Sequence, residues 1–400
     1  MMSRNQIGSE PVTSNSQQTS TDQSTLLRKC FEKKKFSWII IGIIFVILSV
    51  TIPIVIIKTK TINITKLSTA PIETTNMISL STVTSETTTA DNPTTEVKSK
   101  PKYNKWKQYG ITIAGGNGNG DQLNQLIIPS KIYIDDNQAI LIADTGNHRI
   151  IEWKYNSNNG EVIAGGNGQG KNLDQFERPN DVTVDKEKNA IIICDHGNYR
   201  VMRWFRQSRT NPQIFISNIY CNGVAIDKDG FIYVSDHAKY EVRRWKEGDT
   251  VGTLVAGGNS NGEHLDQFEG PSIIFVDKEY SIYVSETGNN RISKWKKDAK
   301  EGIVVAGGNG RGSGLNQLAQ PLGMIVDNLG QIFIADFLNC RIMRWSEGDT
   351  NGSVVVGGNG AGNERYQLNY PTGLSFDVEG NLYVADGGNH RIQKYELCIE

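Results

Sequence analysis

The sequence predicts an all-β fold, a six-bladed β-propeller, over its C-terminal three quarters. Three observations carry this prediction: a sixfold repeat, its regular spacing, and short strand-like runs separated by turn residues. The repeated motif is typified by Asp-Thr-Gly-Asn-His-Arg-Ile, and its copies are spaced by 41 to 51 residues. The copies begin at Asp144, Asp195, Asp236, Glu286, Asp336 and Asp386. A fixed period in this range indicates stacked or ringed supersecondary units.

The last repeat shows the internal pattern of one unit. Strand-like runs rich in β-branched and aromatic residues cover 371–377, 381–386 and 390–395, and other copies add a fourth run, such as 302–307. Gly-containing turn pairs separate the runs, and no helical periodicity is present. Four strands joined by tight turns favour a propeller blade over a coil of a β-solenoid.

The ends of the repeat array predict how the ring closes. The last copy stops after its third run, while an orphan run at 109–115 precedes the first copy and matches fourth-strand sequences such as 162–165. We therefore expect residues 109–115 to supply the outer strand of the sixth blade, which leaves no unpaired gap in the ring.

These repeats resemble NHL repeats, a family described by an Asn-His-Leu triplet. This chain has Asn147-His148-Arg149 and Asn389-His390-Arg391 at the corresponding place, and the resemblance extends over residues 105–400. The resemblance implies a six-bladed propeller, in agreement with the copy count. Some members of the family bind RNA. Residues 101–400 hold 31 basic and 36 acidic side chains, however, and this mildly acidic charge argues against nucleic acid as a partner.

The first 104 residues divide into three further segments. Residues 1–35 are polar and are predicted to be a disordered cytoplasmic tail. Residues 36–57 contain no charge over 22 positions, enough to cross a bilayer, and are predicted to be a transmembrane helix and signal anchor. Residues 58–104 are rich in Ser and Thr, which is typical of an extracellular stalk.

The charges around residues 36–57 predict the orientation. Five basic residues lie at 28–35, against three at 58–66, so the positive-inside rule places the N-terminus in the cytoplasm. The expected protein is single-pass, type II and exposed at the cell surface. Asn63 and Asn351 begin glycosylation sequons.

Two repeated features favour structural roles. A carboxylate ends the first and second run of every repeat, where Asp caps turns by accepting backbone N–H bonds. The Arg five residues after the second carboxylate is expected to pair with a carboxylate of its own or a neighbouring blade. Gly-rich segments such as 164–176 precede a strand rather than a helix, so we interpret them as crossings between blades and not as phosphate loops.

The third repeat departs from the pattern, and this departure predicts a ligand site. Glu241 replaces the motif Arg, and the Gly-rich crossing before the repeat is missing. Because crossings and second-to-third turns share one face of a propeller, the loss leaves a notch between blades two and three. The candidate ligand-binding residues are His196, His237, Lys239, Glu241 and Asn222. Simple drift of one repeat is the alternative.

The cysteines of the repeat region bear on the same place. Cys194 ends the second strand of blade two and Cys221 begins the first strand of blade three, so both lie toward the same face beside the shortened crossing. A disulfide between them is the favoured pairing in an oxidising compartment. Cys340 and Cys398 are left without an assigned partner.

The sequence offers no recognisable catalytic constellation, and no cofactor is predicted, with Ca²⁺ and Zn²⁺ left open. A peptide-amidating lyase resembles NHL propellers and uses zinc-bound histidines near its channel, but no His here falls on a predicted innermost strand. We therefore expect a binding module for an extracellular protein, peptide or glycan. The alternatives are a metal-dependent extracellular lyase or hydrolase and a passive stalked adhesion protein.

Overall fold

The computed structural model describes residues 105–206 and 212–398. The predicted tail, membrane helix and stalk lie outside these residues. Within the described ranges, no helix has the length and apolarity needed to cross a membrane. The described chain forms six four-stranded antiparallel sheets, so the predicted all-β six-bladed propeller is confirmed.

The strands follow one another blade by blade. The chain enters through β1 (Ile111–Gly115). Blade one contains β2 (Pro129–Ile134), β3 (Ile140–Asp144), β4 (Arg149–Trp153) and β5 (Glu161–Gly165). Blade two contains β6 (Pro179–Asp185), β7 (Ala190–Asp195), β8 (Arg200–Phe205) and β9 (Gln213–Ser217). Blade three contains β10 (Cys221–Ile226), β11 (Ile232–Asp236), β12 (Glu241–Trp245) and β13 (Thr253–Gly257).

The second half of the ring repeats this order. Blade four contains β14 (Pro271–Val276), β15 (Ile282–Glu286), β16 (Arg291–Trp295) and β17 (Ile303–Gly307). Blade five contains β18 (Pro321–Val326), β19 (Ile332–Asp336), β20 (Arg341–Trp345) and β21 (Ser353–Gly357). Blade six contains β22 (Pro371–Phe376), β23 (Leu382–Asp386) and β24 (Arg391–Tyr395). Single 3₁₀ turns at Thr145–Asn147, His196–Asn198, Phe337–Asn339 and Gly387–Asn389 link the second and third strands of four blades.

The sixth blade is completed by the N-terminal strand, as predicted. β1 pairs antiparallel with β24, placing Ala114 opposite Ile392 and Gly115 opposite Arg391. Trp106, just before β1, is buried, and its Nε1 donates to the carbonyl of Gly380 at 2.9 Å. The two ends of the described chain therefore lock the ring together.

The hydrophobic core lies between consecutive blades, and the first strands contact one another around the central axis. Strand alternation sends apolar side chains to both faces of each inner sheet. An aromatic residue at one equivalent third-strand position packs into each of these layers. These residues are Trp153, Trp204, Trp245, Trp295 and Trp345, with Tyr395 in blade six.

The repeated turns follow from the residues of the repeat. The Asp after the first strand closes the first-to-second turn: Asp135 Oδ1 accepts from the backbone amides of Asn137 and Ala139, both at 3.0 Å. Gly165 begins a crossing at φ 71°, and a Cβ there would meet the His148 carbonyl oxygen at 2.7 Å. Glycine is therefore required where the chain leaves one blade for the next.

Candidate functional site

The blade crossings and the second-to-third turns lie on one face of the propeller, here called the upper face. Hydrogen bonds join them in blade one, where Asn147 Nδ2 donates to the Gly120 carbonyl at 3.0 Å and Arg149 Nη1 to the Asp121 carbonyl at 2.7 Å. The first-to-second and third-to-fourth turns lie on the opposite face. The elements that border the predicted notch therefore share one surface.

A buried carboxylate–arginine pair holds the crossing in five blades. In each pair the Arg Nε lies 2.7–2.9 Å from a carboxylate oxygen of its own blade. The pairs are Asp144–Arg149, Asp195–Arg200, Glu286–Arg291, Asp336–Arg341 and Asp386–Arg391. The remaining guanidinium nitrogens donate to three crossing carbonyls, which in blade one belong to Asp121, Gln122 and Gln125.

Burial governs the ionisation of these carboxylates. Desolvation raises the pKa of Asp144 above its ordinary value, while the Ile127 amide, Asn147 and Arg149 pull that pKa down. The same balance raises the pKa values of the equivalent carboxyls. A motif used in the same way in five blades is part of the architecture, in agreement with the structural interpretation of its repetition.

Blade three lacks this device. Only residues 218–220 connect β9 to β10, whereas residues 166–178 connect β5 to β6. Glu241 occupies the position of the arginine and accepts a bond from Arg243 Nε at 2.6 Å. Lys239 occupies the position of the motif Asn, with its Nζ 3.7 Å from Asp236 Oδ2.

The missing crossing leaves an open groove of about 650 Å³ at the outer part of blade three. We call it the blade-three groove, and its walls include Ile216, Asp236, Lys239, Arg243, Trp245 and Gly252. Both charged and apolar side chains line it, so it can hold a ligand with both kinds of group.

A second feature, the blade-three notch, lies beside the groove and nearer the channel. It is formed by His196, Tyr220, Asn222 and His237. The Tyr220 ring lies 4.4 Å from the His196 ring and 5.7 Å from the His237 ring, measured between centroids. Tyr199 stacks on the outside of Tyr220 at 5.0 Å.

Amide groups extend the notch toward the central axis. Asn222 Nδ2 lies 3.4 Å from His237 Nδ1, and Asn180 Nδ2 donates to the Asn222 side-chain oxygen at 2.8 Å. Aromatic rings flanked by side-chain amides provide stacking surfaces together with hydrogen-bond donors and acceptors. This combination suits a polar ligand with flat or apolar faces.

A disulfide and a contact of His196 hold the notch against blade two. Cys194 and Cys221 are joined, at a sequence separation of 27 residues, and both are buried. His196 Nδ1 lies 2.9 Å from the Cys221 carbonyl oxygen. Burial lowers the pKa of His196 below its ordinary value, the hydrogen bond to the Cys221 carbonyl opposes this shift, and the charge of Arg178 adds to it. Of the other cysteines in residues 105–206 and 212–398, Cys340 is buried and Cys398 exposed, and both are free.

The structure divides the predicted ligand residues between two neighbouring places. His196, His237 and Asn222 meet in the notch, whereas Lys239 lies on the groove and Glu241 is buried beside it against Arg243. Sequence reasoning missed Tyr220, the residue that joins the two histidines. Its signal was an aromatic residue within a crossing of only three residues.

The channel holds one unusual carboxylate. Asp181, on the innermost strand of blade two, is fully buried and accepts from the amides of Val182 and Val224 at 2.8 and 2.9 Å. Burial raises its pKa to about 6, while Lys131 lowers it. Two backbone amides hold this side chain inside the wall, so it positions β6 against β10 and does not line an open pocket.

No group of three or more His, Cys, Asp or Glu side chains converges as a metal site within residues 105–206 and 212–398.

Comparison with known proteins supports the fold and the repeat. The family model described as NHL repeat matches residues 368–395, within blade six. The chain is therefore a six-bladed β-propeller that carries an NHL repeat, as the repeated motif predicted. No curated protein resembles the chain significantly in sequence.

Solved structures share the propeller. A protein of unknown function from Bacteroides thetaiotaomicron aligns with a TM-score of 0.59 at 20% identity, covering 72% of this chain and 76% of that one. An auxiliary nutrient binding protein from the same species gives 0.58 at 15% identity, covering 74% and 77%. A gluconolactonase from Xanthomonas campestris gives 0.52 at 13% identity, covering 75% and 99%. At such identities the likeness concerns the fold alone, since one fold hosts many functions.

Proposed function

We propose that this protein is a cell-surface, type II membrane-anchored propeller that binds an extracellular protein, peptide or glycan. The observation that carries the proposal is the opening of the upper face at blade three. There the crossing is reduced to residues 218–220, which leaves the groove open beside the half-buried residues of the notch. Binding sites in folds of this kind are concave and combine apolar walls with a few placed polar groups.

The notch residues supply the recognition chemistry in this proposal. Tyr220 and the two histidines offer ring faces, and Asn222 offers an amide, so a sugar ring or an aromatic or planar side chain would find both stacking and hydrogen bonding. The carboxylates of the other five blades have arginine partners and are committed to the architecture.

The binding proposal is tested on glycan and peptide arrays with the full chain and two variants, Tyr220→Ala and His237→Ala. We expect a captured ligand to bind each variant roughly tenfold or more weakly, because truncation of a central aromatic anchor removes most of the binding energy. His264→Ala is the matched control, since His264 is exposed on the same face in the crossing before blade four. Ligand binding that is unchanged in both variants contradicts the proposal. A chain that captures nothing on either array favours the passive stalked adhesion alternative.

The membrane orientation has its own test. Asn351 is exposed in the turn between β20 and β21, so its sequon is accessible on the folded propeller. We expect an endoglycosidase-sensitive mass shift of the full chain in cells, reduced by Asn351→Gln, because only a propeller on the luminal or extracellular side meets the glycosylation machinery. A chain that lacks any such shift, and whose propeller is cleaved by added protease only after cell lysis, contradicts type II placement.

The metal-dependent lyase or hydrolase alternative is tested by measuring metal bound to the purified chain by mass spectrometry, before and after chelation. About one tightly held zinc or calcium ion per chain favours this alternative over the binding module.

A further inference from the structure

The blade-three groove corresponds to the place where four other blades hold a segment of their own chain. In blades one, four and five, the amides of Gly160, Gly302 and Gly352 donate to a leucine carbonyl of the crossing at 2.8 Å. In blade six, the Gly110 amide donates to the Arg365 carbonyl at 2.7 Å. Their counterpart in blade three is Gly252, which lines the open groove. Blade three therefore keeps the glycine whose amide binds the crossing in four other blades, but it lacks the crossing segment itself.

The buried carboxylate at the bottom of the groove also lacks the arginine partner that it has in the other blades. Asp236 is 2% exposed, and among the described residues its Oδ2 faces only Lys239 Nζ, at 3.7 Å. In the other five blades an arginine Nε lies 2.7–2.9 Å from the equivalent oxygen. Arg243 does not replace it, because its Nε binds Glu241 at 2.6 Å and its Nη1 binds the Gly252 carbonyl at 2.7 Å.

We propose that the blade-three groove binds a segment of a partner polypeptide that takes the place of the missing crossing. The segment presents a backbone carbonyl to the Gly252 amide and an arginine side chain to Asp236. A guanidinium suits this position because it forms charge-assisted hydrogen bonds with a buried carboxylate. The inference rests on the proposed binding function and adds to it the class of ligand that the groove takes.

A segment of this chain shows which peptide chemistry fits such a groove. In blade five, the Leu315 carbonyl accepts from Gly352 at 2.8 Å, and the Gly312 carbonyl accepts from Asn339 at 2.8 Å. Asn339 also binds Asp336, so residue 312 lies at the carboxylate end of that groove. Arg311 directly precedes it. A peptide with the sequence of residues 306–318 therefore carries a leucine for the Gly252 amide and an arginine next to the residue at the carboxylate end.

The experiment measures the fluorescence anisotropy of a labelled synthetic peptide, Ala-Gly-Gly-Asn-Gly-Arg-Gly-Ser-Gly-Leu-Asn-Gln-Leu, titrated with the full chain at low ionic strength. The control peptide has glutamine in place of arginine, as the crossing before blade two has Gln169. We expect the arginine peptide to bind about tenfold more tightly than the control. Asp236→Asn is expected to abolish that difference, whereas Glu263→Gln, an exposed carboxylate on a filled groove, leaves it intact. Equal affinities for the two peptides overturn the proposal.

A second variant, in which a crossing is grafted into blade three, tests the proposal if Asp236→Asn misfolds. The variant carries residues 166–178 in place of 218–220, together with Lys239→Asn and Glu241→Arg, which restores the repeat and fills the groove. We expect it to fold with a raised Tm and to lose peptide binding. Peptide binding that survives the graft overturns the proposal. So does self-association of the full chain that the graft abolishes, since the occupant is then a second copy.

Failure of the groove proposal can be distinguished from failure of the proposed binding function, because the two depend on different residues. Array ligands that bind Tyr220→Ala and His237→Ala more weakly, but bind Asp236→Asn as tightly as the wild-type chain, keep the notch as a binding site even when the groove peptide fails.

Discussion

The Nε atom of Arg149 lies 2.8 Å from Oδ2 of Asp144, and both side chains are buried. The same arginine donates to three carbonyls of the crossing that enters its blade. One side chain thus neutralises a buried carboxylate and fixes the path between two blades. The fold repeats this device in five blades and omits it in blade three, where the upper face is open.

Removal of Arg149 should be costly. Arg149→Ala leaves Asp144 buried without its cation and frees three crossing carbonyls, so we expect a loss of about 3–5 kcal/mol in the free energy of unfolding. Chemical denaturation of the full chain measures it. The control is Lys186→Ala, whose ion pair with Asp136 is exposed and should contribute less than about 1 kcal/mol. Similar losses in the two variants would contradict the structural role assigned to the repeat arginine.

Ring closure predicts a strong dependence on Trp106. Its indole packs against Phe333 and Phe376, with centroid distances of 5.5 and 5.7 Å. Trp106→Ala should therefore destabilise the propeller by about 3–5 kcal/mol. It should also speed proteolysis of β1, followed by mass spectrometry of the fragments. Tyr109→Ala, on the same segment but 64% exposed, should change stability by less than about 0.5 kcal/mol. A Trp106→Ala protein as stable as Tyr109→Ala would show that the closing strand is dispensable.

The repeat period and turn residues were enough to predict the six blades and the closing strand, because each blade uses the same local pattern. The binding face could be predicted only in outline. The sequence shows that a crossing is missing before Cys221, but not that the wall formed by Trp245 and Gly252 stays open, because this depends on what neighbouring blades place there. Likewise, His237 and Lys239 are two residues apart, yet one contacts Asn222 and the other lies on the groove. The two side chains point in different directions because they lie in a turn, and the repeat pattern does not predict the direction of a side chain in a turn.

The disulfide should stabilise blades two and three. Cys194 and Cys221 lie 27 residues apart, so their link restricts the unfolded chain, and we expect the double variant Cys194→Ala and Cys221→Ala to lose about 2–4 kcal/mol of unfolding free energy. Thermal and chemical unfolding under oxidising conditions measure the loss, which a reductant should reproduce in the wild-type chain. Cys398→Ser, at an exposed free thiol, is the control and should leave stability within about 0.5 kcal/mol. A wild-type chain insensitive to reductant would argue against a stabilising disulfide.

The buried His196 predicts that acid destabilises the notch. Its folded-state pKa lies below the ordinary value of 6.5, chiefly because of burial. As the pH falls through 6.5, the unfolded chain takes up a proton that the folded chain still excludes. The contribution of His196 to stability is therefore present above pH 6.5 and is lost during acidification. We expect the unfolding free energy of wild type to fall more steeply between pH 7.5 and 5 than that of His196→Gln, over about two pH units around the titration.

NMR titration of the His196 imidazole measures the pKa directly, and we expect a midpoint below 6.5 in wild type. Tyr220→Ala uncovers the ring and should move this midpoint upward, because less desolvation opposes the charged form. A wild-type midpoint at or above 6.5 would contradict the packing of His196 beneath Tyr220.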